Sequence, residues 1–267
     1  MNTSYSGSNK PTELSEQDSF CDDEEYLRCL LSKEQENKLY NGLEKNPYLA
    51  KARVEAVEWM TKVIRYYSFS TLTCILSLNY LDRFLYSSFD IDNDSDDQRE
   101  KPWMIQLAAV GCLSLAAKVE EVHVPLLLEL QVAAKESKYV FEPKTVQRME
   151  ILVLSTLEWK MNPVTPLSFL DYIAKRVGLK SRDLRTKCKY VLRYLICDCG
   201  FIMCYLPSVI ATATMLYVIR SGMETCNVGI DQYEDRVLGI VGSINKDKVE
   251  DCSRLIQLHF DACKSSF

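Results

Sequence analysis

The residues of this chain best placed to carry interaction chemistry are Lys118 and Glu150, because each falls where the helical pattern around it is apolar. In the segment 143–159 the apolar stripe runs through Val146, Met149, Val153 and Leu157, and Glu150 sits inside it, one helical turn after Val146. Lys118 closes the segment 102–119 on the face that continues Leu107, Val110, Gly111 and Ser114, with Glu120 and Glu121 just beyond. A charge set among apolar side chains is costly unless it is paired and hydrogen-bonded. The arrangement that avoids this cost has Lys118 and Glu150 meet each other or reach a common partner. Taken singly, each has a plainer reading: Lys118 is a cation favoured at a helix C-terminus, and Glu150 a surface charge at the edge of its stripe.

Catalytic chemistry finds no comparable foothold. There is no Gly-rich phosphate loop, no nucleophile elbow and no metal-ligand spacing, and the nine glycines are scattered. Eleven cysteines are an odd count, no Cys-x-x-Cys occurs, and the two histidines, His123 and His259, lie far apart. Cys197 and Cys199 are spaced so that a helix points them away from each other. Residues 1–10 show no charged segment followed by an apolar run, so the cysteines are expected to be reduced thiols used as small buried side chains. No cofactor and no metal are expected, and an enzyme is the least favoured class. A net charge of -5 gives no basic footprint of the kind a phosphate-backbone binder needs, which points to a protein partner rather than nucleic acid.

The elements that position Lys118 and Glu150 are helical throughout. Residues 1–22 are polar and poor in large apolar side chains, and are expected to form a disordered tail. A short amphipathic helix follows from Glu24, around Leu27, Leu30 and Leu31. Helices are then predicted over 50–67, 71–86, 102–119, 126–134 and 143–159, with the acidic run 90–100 as a solvated loop. The helix 102–119 is crowded with small residues, among them Ala108, Ala109, Gly111, Ala116 and Ala117, which permits close interhelical approach and makes it the central helix of its bundle.

Pro163 and Pro166 mark a linker, after which the pattern restarts with helices over 167–177, 181–203, 207–220, 233–240 and 246–263. The uncharged stretch 200–219 has about the length of a membrane span, but Pro207 divides it into the end of one helix and the start of the next, so no membrane association is expected. Pro102 opening a small-residue helix is echoed by Pro207 about 105 residues later, and Val146 by Val249 about 103 later, which suggests two like-sized bundles. The resulting division is a tail over 1–22, a helical region over 23–48, one bundle over 49–162 and another over 163–264. In the second bundle, Ser253 stands where Glu150 would fall and Met223 about where Lys118 would, so only one half is expected to carry the charged pair.

The runs LNYLDRFL at 78–85, KPWMIQLAAVGCLSLAAKVEE at 101–121, VPLLLELQV at 124–132 and RMEILVLSTLEWKMNPVTPLSFL at 148–170 resemble the cyclin box of plant D-type cyclins, nearest the D3 group, over about residues 22–260. The resemblance implies two tandem five-helix boxes and a regulatory subunit, itself no enzyme, that activates a PSTAIRE-type cyclin-dependent kinase for the G1-to-S transition. It implies that Lys118 and Glu150, with Glu121, anchor the kinase's αC helix, and that Asp82 and Arg83 fix contacts between helices. It also implies a substrate-docking patch at Arg53, Trp59 and Gln106, although Ala52, Glu55 and Ala56 stand where large apolar residues would sit, which makes the groove shallower and more acidic. The plainer reading of Trp59 is core filler.

Further partners implied are retinoblastoma-type pocket proteins and kinase inhibitor proteins. The Leu-x-Cys-x-Glu motif used for pocket proteins is degenerate here: Cys21 is kept, Ser19 replaces Leu and Asp23 replaces Glu. A nuclear location, with some cytoplasmic protein, follows from the resemblance rather than from a basic import cluster. The sequence has no long Pro/Glu/Ser/Thr-rich run after the second bundle, so turnover signals are expected either near the N-terminus or not at all. The same-fold alternative is a transcription-associated cyclin or general-transcription-factor-like helical repeat, against which the acidic balance argues in its DNA-binding form. A helical scaffold without a kinase partner would need Lys118 and Glu150 to be dispensable.

Overall fold

Proline punctuates this chain, and helices begin where it does. In the structure, a computed structural model describing residues 16–36, 46–88, 102–133, 138–178, 182–197, 205–223, 230–240 and 244–264, five helices start at Pro47, Pro102, Pro143, Pro166 and Pro207. Proline is suited to the first helical position because its fixed φ fits the helix and its missing N–H would have found no partner there. The described residues form eleven helices and no strand: α1 Glu16–Glu36, α2 Pro47–Tyr67, α3 Thr71–Ser88, α4 Pro102–Glu120, α5 Leu127–Val132, α6 Pro143–Thr156, α7 Pro166–Val177, α8 Arg182–Cys197, α9 Pro207–Met223, α10 Ile230–Ile240 and α11 Lys246–Lys264. The α2 start shows the local logic in full. Asn46 accepts from the N–H groups of Tyr48 and Leu49 at 3.1 and 3.2 Å, and Ser68 ends the helix in the left-handed region.

Helix α4 is the hub of one group of helices, packing against α2, α3, α5 and α6; α9 is the hub of another, packing against α7, α8, α10 and α11. Both hubs are helices rich in small residues that open with proline, as the internal repeat predicts. Every residue of α4 from Leu107 to Ala117 is buried. Among the described helices α4 alone is long and apolar enough to cross a membrane, and it is packed inside the bundle. The reason it tolerates neighbours on all sides is visible at Gly111, where a Cβ would lie only 3.2 Å from Met149 Cγ on α6. The two groups meet where α2 and α3 pack on α8, and Arg193 of α8 donates to the Phe69 carbonyl at 3.3 Å.

Two differences from expectation stand out. Helix α1 begins at Glu16, inside the stretch expected to be a polar tail. Residues 1–15, and the run 90–100 expected to be a loop, lie outside the described residues. Helix α6 stops at Thr156 instead of 159, because Glu158 and Trp159 both adopt positive φ, 53° and 60°, and turn the chain out of the helix. Asp82 and Arg83 fix helix contacts as expected. Arg83 donates to the Lys160 carbonyl at 2.8 Å, and Tyr80 on the same helix donates to that of Met161, so α3 holds the carbonyls of the turn that follows α6.

Candidate functional site

Lys118 and Glu150 meet. The Lys118 Nζ donates to Glu150 Oε1 at 2.6 Å, joining the last turn of α4 to the middle of α6. The phase of the two helices explains the contact. Gly111, Ser114 and Lys118 form one stripe of α4, and Gly111 lets α6 approach so closely that Met149, the neighbour of Glu150, fills the space a side chain would take. The pair is lopsided: the Glu150 side chain is 8% exposed and that of Lys118 44%. The carboxylate is therefore sunk in the stripe predicted for it, while the ammonium lies at the surface with donor capacity left over. Near the two in the chain, Val119, Val122, Val124, Ile151 and Leu152 are exposed aliphatic side chains, with Val122 90% open. A charge pair with uncovered apolar residues close by in the chain suits a protein partner, because burial by a partner would strengthen the pair by excluding water.

Glu121 is engaged within the chain. Its Oε1 accepts from the Ser70 N–H at 2.7 Å and from the Thr73 hydroxyl at 2.5 Å, where α3 starts. It caps α3 from the end of α4 and so ties together the two helices on either side of that junction. No local pattern in the sequence announces this, since a glutamate after a helix C-terminus reads as solvent-facing.

The three residues expected to form a docking patch are not equivalent. Arg53 is 4% exposed, and its guanidinium grips Asp82 of α3 in a forked ion pair, Nε to Oδ1 at 2.5 Å and Nη2 to Oδ2 at 2.8 Å. This moves Arg53 from the expected surface to the interior, because Asp82 on the buried face of α3 needs a counter-charge. Trp59 is likewise buried, at 7%, in keeping with the core-filler reading. Gln106 is half-buried and donates to the Tyr139 carbonyl at 3.4 Å. Ala52 is half-buried, Glu55 exposed and Ala56 buried. Cys21 and Asp23 lie within α1.

The second bundle holds a charged cluster that the sequence comparison missed. Arg220 of α9 forms a two-pronged pair with Glu234 of α10, at 2.7 and 3.1 Å, and its Nη1 reaches Ser253 Oγ at 3.4 Å. Ser253 is the counterpart of Glu150, so a cation does approach that position, from about one turn earlier on the hub helix than Met223.

With the geometry in place, comparison with known proteins is informative. The family described as cyclin, N-terminal domain matches residues 25–162, and that described as cyclin, C-terminal domain matches 164–266. The chain belongs to the cyclin family. This cyclin is 47% identical to Cyclin-D3-1 of Arabidopsis thaliana over 244 residues, which is 90% of this chain and 60% of that relative. It is 43% identical to Cyclin-D3-3 of the same plant over 249 residues, 92% of this chain and 64% of the relative. The chain thus spans less than two thirds of the length of these plant D3-type cyclins. The X-ray structure of a viral cyclin from herpesvirus saimiri superposes with a TM-score of 0.62 over 85% of this chain and 94% of the other, at 14% identity, which concerns the fold alone.

Proposed function

We propose that this cyclin is a regulatory subunit, without catalytic activity of its own, that binds and activates a PSTAIRE-type cyclin-dependent kinase and so promotes the G1-to-S transition. The observation that carries the proposal is the contact of Lys118 with Glu150, with the exposed Val119 and Ile151 next to them in the chain. The kinase's αC helix lies across this face. Its apolar residues cover Val119, Val122 and Ile151, and its polar groups take up the donor capacity of the Lys118 ammonium. Pressing αC inward completes the Lys–Glu ion pair inside the kinase and orders the activation segment, so phosphoryl transfer proceeds in the kinase and the cyclin supplies position only.

Substrates, and kinase inhibitor proteins in competition with them, use the surface over Trp59 and Gln106, with Arg53 supporting it from beneath. Pocket-protein recruitment rests on the Cys21 and Asp23 segment alone and is correspondingly weak. The complex works in the nucleus, entering with its kinase and leaving some protein in the cytoplasm.

The test is co-purification with a PSTAIRE-type kinase, scored for both binding and kinase activity, using wild type, Lys118→Ala and Glu150→Ala. Both variants are expected to lose binding while keeping the helical circular-dichroism spectrum. Undiminished binding in both would refute the assignment of this face.

A further inference from the structure

Ser114 is a buried polar residue that the fold leaves without a partner. It lies inside α4, its side chain is fully buried, and its Oγ makes no hydrogen bond with any described residue. Such groups are uncommon, because a hydroxyl taken out of water without a partner costs free energy. A helical hydroxyl has the carbonyl one turn back as a ready acceptor. Thr212 on the other hub helix, α9, uses it, donating to the Ser208 carbonyl at 2.8 Å. Ser114 does not, so its donor stands idle.

The stripe Gly111, Ser114, Lys118 fixes what lies over that hydroxyl. At one end, a Cβ on Gly111 would stand 3.6 Å from the backbone nitrogen of Glu150. At the other, Lys118 Nζ meets the Glu150 carboxylate at 2.6 Å. The Glu150 side chain therefore runs along the stripe from the level of Gly111 toward Lys118, and Ser114 is the position between. The Lys118 side chain leans back over the same position, because side chains of a helix tilt toward its N-terminus. Only Oε1 of the carboxylate is engaged; Oε2 takes no hydrogen bond from any described residue. The Glu150 side chain is 8% exposed, which keeps its carboxylate in reach of solvent in the free protein. A partner seated over Lys118 removes that solvent and leaves Oε2 without a donor. The hydroxyl beneath meets this need by a rotation about its χ1.

We propose that Ser114 is a positioning residue for kinase binding: its hydroxyl is a standby donor that turns to Glu150 Oε2 when a partner covers the face, and so holds the carboxylate under the Lys118 ammonium in the complex. The inference rests on the kinase-binding reading of that face, and one arm of the experiment does without the kinase. In the free chain, Lys118→Ala takes away the donor to Glu150 and so calls on the standby hydroxyl in the same way. Thermal unfolding and affinity for a PSTAIRE-type kinase are measured on the full chain for wild type, Ser114→Ala, Lys118→Ala and the double variant. In the wild-type background Ser114→Ala removes an unpaired hydroxyl and improves helix propensity, so Tm should hold or rise by up to about 3 °C. In the Lys118→Ala background the same substitution removes the donor left to the carboxylate, and Tm should fall by about 2 °C or more. Kinase affinity of Ser114→Ala should drop at least about fivefold although the free protein is no less stable. A hydroxyl with a merely structural role shifts Tm alike in both backgrounds. The proposal is overturned if Ser114→Ala lowers Tm in the wild-type background, if it shifts Tm equally in both, or if it binds with wild-type affinity while Lys118→Ala is impaired. Should Lys118→Ala bind like wild type, the kinase reading of the face falls, and the signs of the two Tm shifts still decide whether Ser114 is the standby donor.

Discussion

The unequal burial of Lys118 and Glu150 predicts that their removal has unequal effects on stability and equal effects on binding. With Lys118→Ala, a carboxylate whose side chain is 8% exposed loses the ammonium at 2.6 Å. Breaking a fully buried pair this way costs about 3–5 kcal/mol. Because the Lys118 side chain is 44% exposed, water already screens the pair and the figure is discounted to about 1–2 kcal/mol. With Glu150→Ala the ammonium simply extends into solvent, at a cost of about 0–1 kcal/mol. In a chain of this size 1 kcal/mol shifts the melting temperature by about 2–4 °C. Lys118→Ala should therefore lower Tm by about 3–6 °C and Glu150→Ala by about 3 °C or less. Against the kinase both should lose about 2 kcal/mol or more, roughly thirtyfold in Kd, since each strands a charge beneath the partner. Thermal unfolding followed by circular dichroism, with a kinase titration on the same preparations, measures both quantities. A Tm loss in Glu150→Ala equal to or larger than that of Lys118→Ala would refute the reasoning from burial, and wild-type affinity in either variant would refute the anchor.

Further outcomes follow from the same contacts. Gly111→Ala gains about 1 kcal/mol of helix propensity but places a Cβ 3.2 Å from Met149 Cγ, which overpacking penalises by about 1–3 kcal/mol; a net stability loss of about 1 kcal/mol in denaturant unfolding, with a larger loss of kinase affinity, is expected. Arg53→Ala leaves Asp82 buried without its guanidinium and should cost about 3 kcal/mol or more, on the order of 10 °C in Tm, whereas a surface docking residue would leave Tm unmoved. Burial raises the thiols of Cys188 and Cys252 to about 12 and that of Cys112 higher still, so native alkylation read by mass spectrometry should modify the exposed Cys29 and spare these three until denaturant is added.

The ion pair was legible in the sequence because both of its signals are local. A glutamate out of place in an apolar stripe, and a lysine continuing a small-residue face, can each be read from helical phase alone. What brings them together is a third local signal, the glycine one stripe position before Ser114 that admits α6. Glu34, which accepts from the Ser208 N–H and hydroxyl at the start of α9, gave no such warning. It lies in the polar run KEQE, and its partner Ser208 is 174 residues away, so only the docking of α1 on the second bundle reveals it. Arg53 and Glu121 have partners hidden from the sequence for a related reason. Both are charged residues that read as surface features, and both answer a need on another helix: the buried Asp82 in one case, the open start of α3 in the other. Charges that satisfy remote backbone or side-chain groups leave no periodicity of their own.

The two hub helices show why near-repetition of a fold does not repeat its surface. In the second bundle the cation is met within the chain: Arg220 is engaged by both oxygens of Glu234 on α10, and the position equivalent to Glu150 is the neutral Ser253, a hydroxyl that accepts from the same guanidinium. That cluster is closed, with the forked geometry of arginine matched by a carboxylate supplied in place. In the first bundle the acid is buried and the cation is a lysine, a compact ammonium on a flexible stem, and the Glu150 contact uses only one of its three donors. An arginine there, satisfied by a second carboxylate from α5, would make the same fold without the same face. The Lys118 ammonium, held by a sunken carboxylate through one of its three donors, is a feature of the first bundle that the second replaces with a closed arginine–carboxylate pair.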